Sequence, residues 1–389
     1  MEWTSFERVK AALEHKEADR IPYDLGGSVL TGMNVHTYVK LRKYLGMKEI
    51  TPKIVDVMQQ LARIDEDMLE FLKVDVMICD PNPPAEKGLA KDSEVDGNYY
   101  KMTDEYGIEW KMPIEKGHYY DMVAHPLAEV EEIEELENYP WPNPVDSARF
   151  STFKERADKI VYQDKKAYIL GRNYAGIWET ALWMSGFEKF FCDMMVEKEY
   201  AHALMEKITE MKMQYWEKAL ETVGENVLIV SEADDLATQH SLLCSVELYK
   251  EMVHPYHKKL YSHIKSKAKN KVYIFYHTCG ACAPLLPYLI EEGVDILNPV
   301  QVNATGMDDT KKLKQEFGGD LTFWGGGVDT QRVLPFGKPQ EVRDEVKRRI
   351  EDLAPGGGFV FAGIHNIQSD VSPENFMAMW ETMREYGIY

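Results

Sequence analysis

Eight short apolar runs recur along the chain, and most are separated by stretches long enough to form a helix. The runs are almost continuously apolar, which is typical of strands buried on both faces of a sheet. They span residues 21–23, 74–79, 167–170, 227–230, 272–276, 294–297, 321–324 and 359–362. The clearest amphipathic stretches between them are 245–265, 284–292, 307–317 and 339–353. Strands that alternate with helices form parallel sheets. Eight such units therefore predict an α/β fold, a closed (β/α)8 TIM barrel.

One segment, residues 81–144, interrupts this alternation after the second run. It holds a proline cluster at 81–84, a hairpin-like stretch around Asp96-Gly97 and an acidic, helix-like stretch at 127–136. It carries too few apolar residues for a core of its own, so we predict an insertion near the barrel mouth. A surface excursion without a function is an equal alternative. Because α/β barrels can exceed about 400 residues, we expect residues 1–389 to form a single domain.

The charge and the cysteines exclude several classes of protein. With 65 acidic and 45 basic side chains, the net charge is -20. An acidic surface repels phosphate backbones and anionic lipids, so we expect neither a nucleic-acid nor a membrane partner. No stretch approaches the roughly 20 apolar residues of a membrane span, and the first residues lack a secretory pattern, so we expect a cytoplasmic protein. Five scattered cysteines are not a disulfide framework, and a working cysteine would be a thiolate.

Polar residues and glycines follow most of the apolar runs, which is where a barrel carries its catalytic groups. If the barrel forms, these side chains converge on one mouth. The predicted catalytic carboxylates are Asp80, Glu232 and Asp235. The predicted substrate-binding residues are Asp24, Asn173, Gln301, Gly326 and Asn366. For Asp234 and Asp235, capping of a helix is at least an equal alternative.

The sharpest local pattern is His277-Thr278-Cys279-Gly280 at the end of the fifth run. Residues i and i+2 of a strand point to the same side, so an imidazole and a thiolate can aim at one point, and zinc accepts both. A buried cysteine and a hydrogen-bonded histidine without a metal are the alternative. A catalytic zinc needs a third protein ligand, and the candidates are Cys282, Glu232 and His365. His254 and His257 flank Pro255 in a helix-like stretch and are interpreted as structural.

Several longer motifs are shared with one known superfamily. They are ERVKAALEHKEADRIPYDLGG near the start, HPLAEVEEIEELENYPWP, DDLATQ at 234–239, HTCG at 277–280, GVDILNPVQ at 293–301, TFWGGGVDTQ at 322–331 and PGGGFVFAGIHNIQSDVSPEN ending at 375. On these motifs the chain resembles the uroporphyrinogen decarboxylase superfamily, and within it the branch of corrinoid-dependent methyltransferases. The resemblance runs nearly end to end.

The resemblance implies a zinc site. Methyltransferases of this branch carry an H-x-C motif, which His277 and Cys279 match, and a third ligand far downstream that is usually a cysteine. Counting back nine positions from Glu374 puts His365 at that third position, with Glu232 as its rival. Two histidines and one cysteine place less negative charge on a metal than one histidine and two cysteines. Such a zinc is a stronger Lewis acid, suited to a substrate oxygen or amine.

Two activities of the superfamily have to be separated. Decarboxylases hold a polycarboxylate with an arginine-rich motif near the N-terminus, whereas the equivalent stretch here, 23–28, has no arginine. Asp80 and His365 do have decarboxylase counterparts. The resemblance therefore implies a zinc-dependent methyltransferase that moves a methyl group from a small donor, such as an aryl methyl ether (an O-demethylase), to a corrinoid. The chain lacks a D-x-H-x-x-G cobalamin motif, so the corrinoid belongs to a partner protein.

Three alternatives stay open. The chain can instead methylate a thiol such as coenzyme M, or tetrahydrofolate, from a corrinoid; it can decarboxylate uroporphyrinogen; or it can bind a ligand without catalysis. Aromatic residues of the insertion would suit an apolar pocket for an aryl ether, although packing within the hairpin explains them equally well. They are Tyr99, Tyr100, Trp110, Tyr119 and Tyr120. A homodimer is a possible assembly.

Overall fold

Seven parallel strands form the central sheet of this computed structural model, which describes residues 3–389. Each strand pairs with the strand that precedes or follows it in this series, so the chain winds in one direction around the sheet. The strands are Val76–Cys79, Ala167–Leu170, Ile229–Ala233, Tyr273–His277, Ile296–Asn298, Thr322–Trp324 and Phe359–Val360. Seven of the predicted runs therefore form strands, with small shifts at their ends.

The first predicted run closes this sheet into a barrel. On one side the Asp24 N–H donates to the Phe361 carbonyl, and the Phe361 N–H donates to the Pro22 carbonyl, both at 2.9 Å. On the other side the Asp75 N–H donates to the Tyr23 carbonyl at 2.8 Å. The segment thus lies between the first and last strands of the sheet, at the eighth position. The predicted (β/α)8 barrel is confirmed.

The helices surround the barrel, and none in the described part of the chain has the length and apolar character that a bilayer span needs. The predicted helix over 245–265 is two helices, because Pro255 has no N–H to continue the first one. The predicted helix over 127–136 begins later, at Ile133. The helices are Ser5–Leu13, Val35–Tyr44, Glu66–Phe71, Ile133–Asn138, Ser147–Phe150, Phe153–Asp158, Ile177–Ser185, Phe187–Val196, Lys198–Val223, Val246–Met252, His254–Lys267, Leu286–Glu292, Thr310–Phe317, Val333–Phe336, Pro339–Leu353 and Pro373–Tyr386.

The insertion contains a four-stranded antiparallel sheet, called here the inserted sheet. Its strands, paired in chain order, are Lys91–Asp96, Tyr99–Thr103, Glu109–Pro113 and Asp121–Ala124. Met102, Trp110 and Met122 are cross-strand partners and therefore share one face. The other face carries the ion pair between Lys101 and Glu109 at 2.9 Å. The inserted sheet is therefore amphipathic, with an apolar face available to cover the barrel.

Candidate metal centre

A cavity of about 580 Å³ lies at the carboxyl ends of the barrel strands. Its floor includes Ser231, Ala233, His277 and His365, which the strands or the loops after them supply. Its roof includes Met102, Trp110 and Met122, from the apolar face of the inserted sheet. The two parts of the chain thus enclose one space between them.

A buried carboxylate of the insertion fixes this roof to the barrel. Asp104 accepts hydrogen bonds from the N–H groups of Tyr106 and Ile108, at 2.9 and 3.0 Å, and from the Trp110 indole at 2.8 Å. It also accepts one from the hydroxyl of Tyr174, which lies in a barrel loop. The rings of Tyr106 and Tyr174 stack with centroids 4.0 Å apart. The roof is therefore attached to the barrel by the Asp104 carboxylate, which accepts four hydrogen bonds, and by the stacking of Tyr106 on Tyr174.

Three potential metal ligands meet at the cavity floor. The ligand atoms of His277, Cys279 and His365, called here the ligand triad, all lie within 4.8 Å of one another. The Cys279 Sγ is 3.4 Å from the His277 Nε2. His277 ends its strand and Cys279 follows two residues later, so both side chains reach the same side. His365 approaches from the loop after the last strand.

An amide behind His277 orients its ring. The Asn298 side-chain N–H donates to the Trp324 carbonyl at 2.8 Å, which turns the Asn298 oxygen toward His277. That oxygen is 2.6 Å from the His277 Nδ1, so Nδ1 carries the proton and donates it. The Nε2 lone pair of His277 then faces the rest of the triad. Such a second partner is typical of metal-binding histidines.

The environment of the triad favours uncharged imidazoles. Burial lowers the pKa of both His277 and His365 to about 4. Burial also raises the pKa of the Cys279 thiol well above its ordinary value, and the nearby Asp235 acts in the same direction. Two neutral nitrogen donors and one sulfur donor within reach of one point fit zinc, whose binding would release the thiol proton.

Two of the three predicted catalytic carboxylates line the cavity. The Asp235 Oδ1 accepts a hydrogen bond from the Cys279 backbone N–H at 2.7 Å. Asp80 also lines the cavity, and burial raises its pKa to about 6 against the opposing effect of Arg172. Glu179, which the sequence patterns do not predict, is another of the five carboxyl groups in the described part of the chain that line the cavity, and burial raises its pKa well above the ordinary value. Glu179 sits in a helix rather than at a strand end, so the strand-end rule did not find it.

Glu232, the third predicted catalytic residue and the rival metal ligand, points away from the cavity. Its carboxylate accepts a hydrogen bond from the Trp216 indole at 2.5 Å and pairs with the Lys212 ammonium at 3.0 Å. Ser231 and Ala233, its neighbours on the strand, line the cavity instead. Because side chains alternate along a strand, Glu232 must face the surrounding helices. The structure does not bring it together with the triad.

Of the predicted substrate-binding residues, Asn173 lines the cavity. Asp24 does not: its two carboxylate oxygens accept from the Trp324 indole and the Gly27 N–H, each at 2.8 Å. Gln301 is also engaged in a loop, since its side-chain oxygen accepts from the Gly280 N–H at 2.6 Å. Both residues stabilise the strand ends rather than reach a substrate, which corrects the prediction.

Gly326 and Asn366 are likewise structural. Gly326 has a φ of +74° and packs so closely that a Cβ would lie 2.7 Å from the Val300 Cβ, so glycine is required there. The Asn366 oxygen accepts from the Gly32 N–H at 2.6 Å, and its amide donates to the Val29 carbonyl at 3.0 Å. These contacts hold the loop at 28–32, and Val29 in turn lines the cavity.

The predicted aromatic residues of the insertion separate into two groups. Trp110, Tyr119 and Tyr120 line the cavity. Tyr99 and Tyr100 lie outside it and are exposed, because they belong to the far end of the hairpin. The sequence analysis also missed Trp183, whose ring packs edge-on against Trp110 with centroids 5.6 Å apart.

The sequence profile of the uroporphyrinogen decarboxylase (URO-D) family matches residues 102–386, which is most of the chain. The chain belongs to the uroporphyrinogen decarboxylase family. The predicted resemblance to this superfamily is confirmed, and the matched region contains the complete ligand triad.

Individual members of the URO-D family show distant similarity. A uroporphyrinogen decarboxylase of Methylococcus capsulatus is 24% identical over 204 residues, 52% of this chain and 53% of that protein. A methylated-thiol–coenzyme M methyltransferase of Methanosarcina mazei is 27% identical over 167 residues, 43% of this chain and 41% of that protein. The chain thus spans about half the length of these curated relatives. A solved methyltransferase from Methanosarcina mazei has a TM-score of 0.65 and 18% identity over 99% of both chains, which shows the fold.

Proposed function

We propose that this protein is a zinc-dependent methyltransferase that moves a methyl group from a small methylated donor to a corrinoid carried by a partner protein. The observation that carries the proposal is the ligand triad of His277, Cys279 and His365 at the floor of an aromatic-lined cavity. The relatives named above include a methyltransferase and a decarboxylase. The residues of the cavity favour the first of these activities.

Decarboxylation of a polycarboxylate would need several cationic side chains. The stretch at 23–28 has no arginine, and Asp24 within it is buried and hydrogen-bonded. In the described residues, Arg172 is the one arginine or lysine that lines the cavity, which is too little positive charge for four carboxylates. The triad, by contrast, offers the ligands that a zinc-dependent methyl transfer needs.

Each residue of the site has a proposed task. His277, Cys279 and His365 hold the zinc, and Asn298 keeps the His277 ring in the ligating orientation. Bound zinc would supply a Lewis acid for the heteroatom that loses the methyl group. Asp80 is the proposed proton donor to that heteroatom, because a pKa of about 6 lets a carboxyl exchange a proton near neutral pH. Asp235 braces the Cys279 backbone.

The walls support a small aromatic donor, such as an aryl methyl ether. Trp110, Trp183, Tyr174 and Tyr120 present flat apolar surfaces to the cavity. The two-histidine, one-cysteine set also favours a neutral oxygen or amine over the thiol acceptor of the coenzyme M reaction. A reducing compartment such as the cytoplasm would keep Cys279 free for the metal, and all five cysteines are free in the structure.

Methyl transfer can be measured directly. The purified protein, loaded with zinc, is mixed with a reduced corrinoid protein and a panel of methoxyaromatics and methylamines, and the absorption change of the corrinoid is followed. We expect methylation with at least one methoxyaromatic. Cys279→Ala and His365→Ala should lose zinc, measured by elemental analysis, and activity. Cys244→Ala is the matched control, since Cys244 is a half-buried thiol outside the triad. Unchanged zinc content in Cys279→Ala, with no absorption change for any donor, would refute the proposal.

A further inference from the structure

Arg172 is a cation that forms no salt bridge and no side-chain hydrogen bond with the described residues, although Asp80 and Glu179 line the same cavity. It follows the strand Ala167–Leu170 and lines the cavity. Its guanidinium Nε is buried and makes no hydrogen bond within residues 3–389. The fully buried arginines are paired, for example Arg149 with Glu105 and Arg349 with Glu345 at 3.0 Å. Arg156 and Arg384 also have a buried nitrogen without a partner among the described residues, but neither lines this cavity. An arginine in this state is completed by a ligand or by water.

The next residue, Asn173, also lacks a hydrogen-bond partner in the described part of the chain, but its unpaired atom is an acceptor rather than a donor. The side-chain oxygen of Asn173 is buried and has no hydrogen-bond donor among the described residues. Asn173 also lines the cavity. More than about nine in ten buried polar groups in folded proteins are satisfied, so two adjacent exceptions facing one cavity indicate a binding surface. One supplies N–H donors with a positive charge, and the other supplies a neutral acceptor.

The chemistry of arginine selects the kind of ligand. A guanidinium is always charged and presents two parallel N–H groups, which match the two oxygens of a carboxylate. Five carboxyl groups of the described residues also line the cavity. Asp104 accepts four hydrogen bonds, and Asp235 accepts the Cys279 N–H. Asp80 and Glu179 form no salt bridge with Arg172, so its N–H groups stay available to a ligand. Arg172, His277 and His365 all line this one cavity of about 580 Å³, so one small molecule can reach from the guanidinium to the triad.

We infer that the methyl donor is an anionic aromatic molecule whose carboxylate pairs with Arg172, while its methylated heteroatom faces the ligand triad. Asn173 accepts a hydrogen bond from an O–H or N–H of the same molecule. The aromatic ring lies between these two ends, against Trp110 and Trp183. This inference rests on the proposed function, since it names the class of donor. Arg172 is then the residue that selects an anionic donor over neutral and cationic ones.

Binding to the unmodified, zinc-loaded protein tests the inference without any variant. Calorimetry compares 4-methoxybenzoate with 4-methoxybenzamide, a neutral analogue of the same shape, and with the cationic 4-methoxyphenyltrimethylammonium. We expect the carboxylate to bind about tenfold to a hundredfold more tightly than the amide, as for a charge-assisted hydrogen bond. Equal affinity for the amide, or tighter binding of the cation through Asp80 and Glu179, would overturn the inference.

Variants then assign the preference to Arg172. Arg172→Gln should abolish the preference for the carboxylate, and Arg172→Lys should restore part of it, because lysine keeps the charge but not the paired N–H geometry. Arg63→Gln is the matched control, since Arg63 is exposed and lies outside this cavity. A preference that survives in Arg172→Gln excludes Arg172 as its source.

Methyl transfer, followed separately, distinguishes the two proposals. Carboxylate binding through Arg172 without any transfer contradicts the proposed function but keeps an anion-binding site. Transfer from neutral donors, with KM unchanged in Arg172→Gln, keeps the function and overturns the inference.

Discussion

Two buried histidine clusters lie side by side in this barrel, and their surroundings give them opposite properties. One is the ligand triad. The other, called here the wall network, lies behind the barrel wall and centres on His257. The His257 Nε2 is 2.7 Å from the Asp234 Oδ2, and its Nδ1 is 3.3 Å from the Glu292 Oε2. Both nitrogens of His257 thus face carboxylates, whereas His277 faces a neutral amide and the open cavity.

This difference in partners decides the charge. Burial opposes a proton on each histidine, but Glu292 and Asp234 outweigh it at His257 and raise its pKa to about 10. At His277 the Asn298 amide does not compensate, and the pKa falls to about 4. His257 is therefore a structural cation, and His277 is a neutral donor ready for a metal. A buried histidine is a candidate metal ligand when no neighbouring carboxylate keeps it protonated and the lone pair of one ring nitrogen faces other potential ligands, whatever its sequence context.

The largest expected effect on stability comes from making the same histidine-to-glutamine substitution once in each cluster. His257→Gln removes the cation between two buried carboxylates and leaves Glu292 with His254, at 2.8 Å, as its basic partner, so the free energy of unfolding of the zinc-free protein should fall by about 3–5 kcal/mol. His277→Gln should change that free energy far less but should lose zinc. Urea unfolding and zinc analysis of both variants check this. Similar destabilisation by the two substitutions would contradict the assignment of a charged His257 and a neutral His277.

A smaller effect, on zinc affinity, is expected from the residue that orients His277. Asn298→Ala removes the acceptor that orients His277, and loss of such a partner costs roughly 10-fold to 100-fold in metal affinity. A competition titration with a zinc chelator measures it. Asn303→Ala is the control, because the Asn303 amide bonds Asp329 at 3.0 Å and lies outside the triad. Equal zinc affinity in the two variants would show that the amide does not tune the site.

The smallest expected effect is a change in the free energy of unfolding with pH. The pKa of His257 is raised from its ordinary 6.5 to about 10, so the folded chain binds this proton more tightly than the unfolded chain. Its contribution to stability is therefore complete below about pH 6.5 and is lost as the pH rises through about 10, with a slope of about 1.4 kcal/mol per pH unit. Unfolding of the zinc-free protein between pH 7 and 9 should show this slope, and His257→Gln should lack it. Parallel curves would mean that His257 is not a cation in the fold.

The sequence predicts one of these clusters better than the other. Strand periodicity is enough to put His277 and Cys279 on one side, since both belong to one short segment. His365 lies 86 positions beyond Cys279. Its place after a predicted strand makes it one of three candidates for the third ligand, and the family resemblance favours it over Cys282 and Glu232. For the wall network, the sequence predicted a structural role for His257 but no partner, because Asp234 and Glu292 approach from other elements. Contacts between distant segments form only when the barrel closes, and local sequence patterns do not predict which segments then meet.

The predicted site residues that the structure keeps out of the cavity lie outside it for a common physical reason. The sequence predicts that Glu232 follows its strand, but the strand continues to Ala233, so Glu232 keeps strand alternation and faces outward. Asp24 and Asn366 do lie near strand ends, yet backbone N–H groups of neighbouring loops use their oxygens. A polar residue at a strand end is free for a substrate only when no loop needs it, and that depends on loop conformation. The missed carboxyl, Glu179, was brought to the cavity by Asp234, which accepts its backbone N–H at 2.6 Å.

The roof and the floor of the cavity come from separate stretches of the gene. The inserted sheet, within residues 91–124, supplies Trp110 and its apolar neighbours, whereas the triad is encoded between 277 and 365. Exchange of this one short segment can therefore alter the shape of the cavity without disturbing the ligand triad. Randomising the inserted sheet, with Asp104 retained because it attaches the roof to the barrel, is a way to change which small molecules fit.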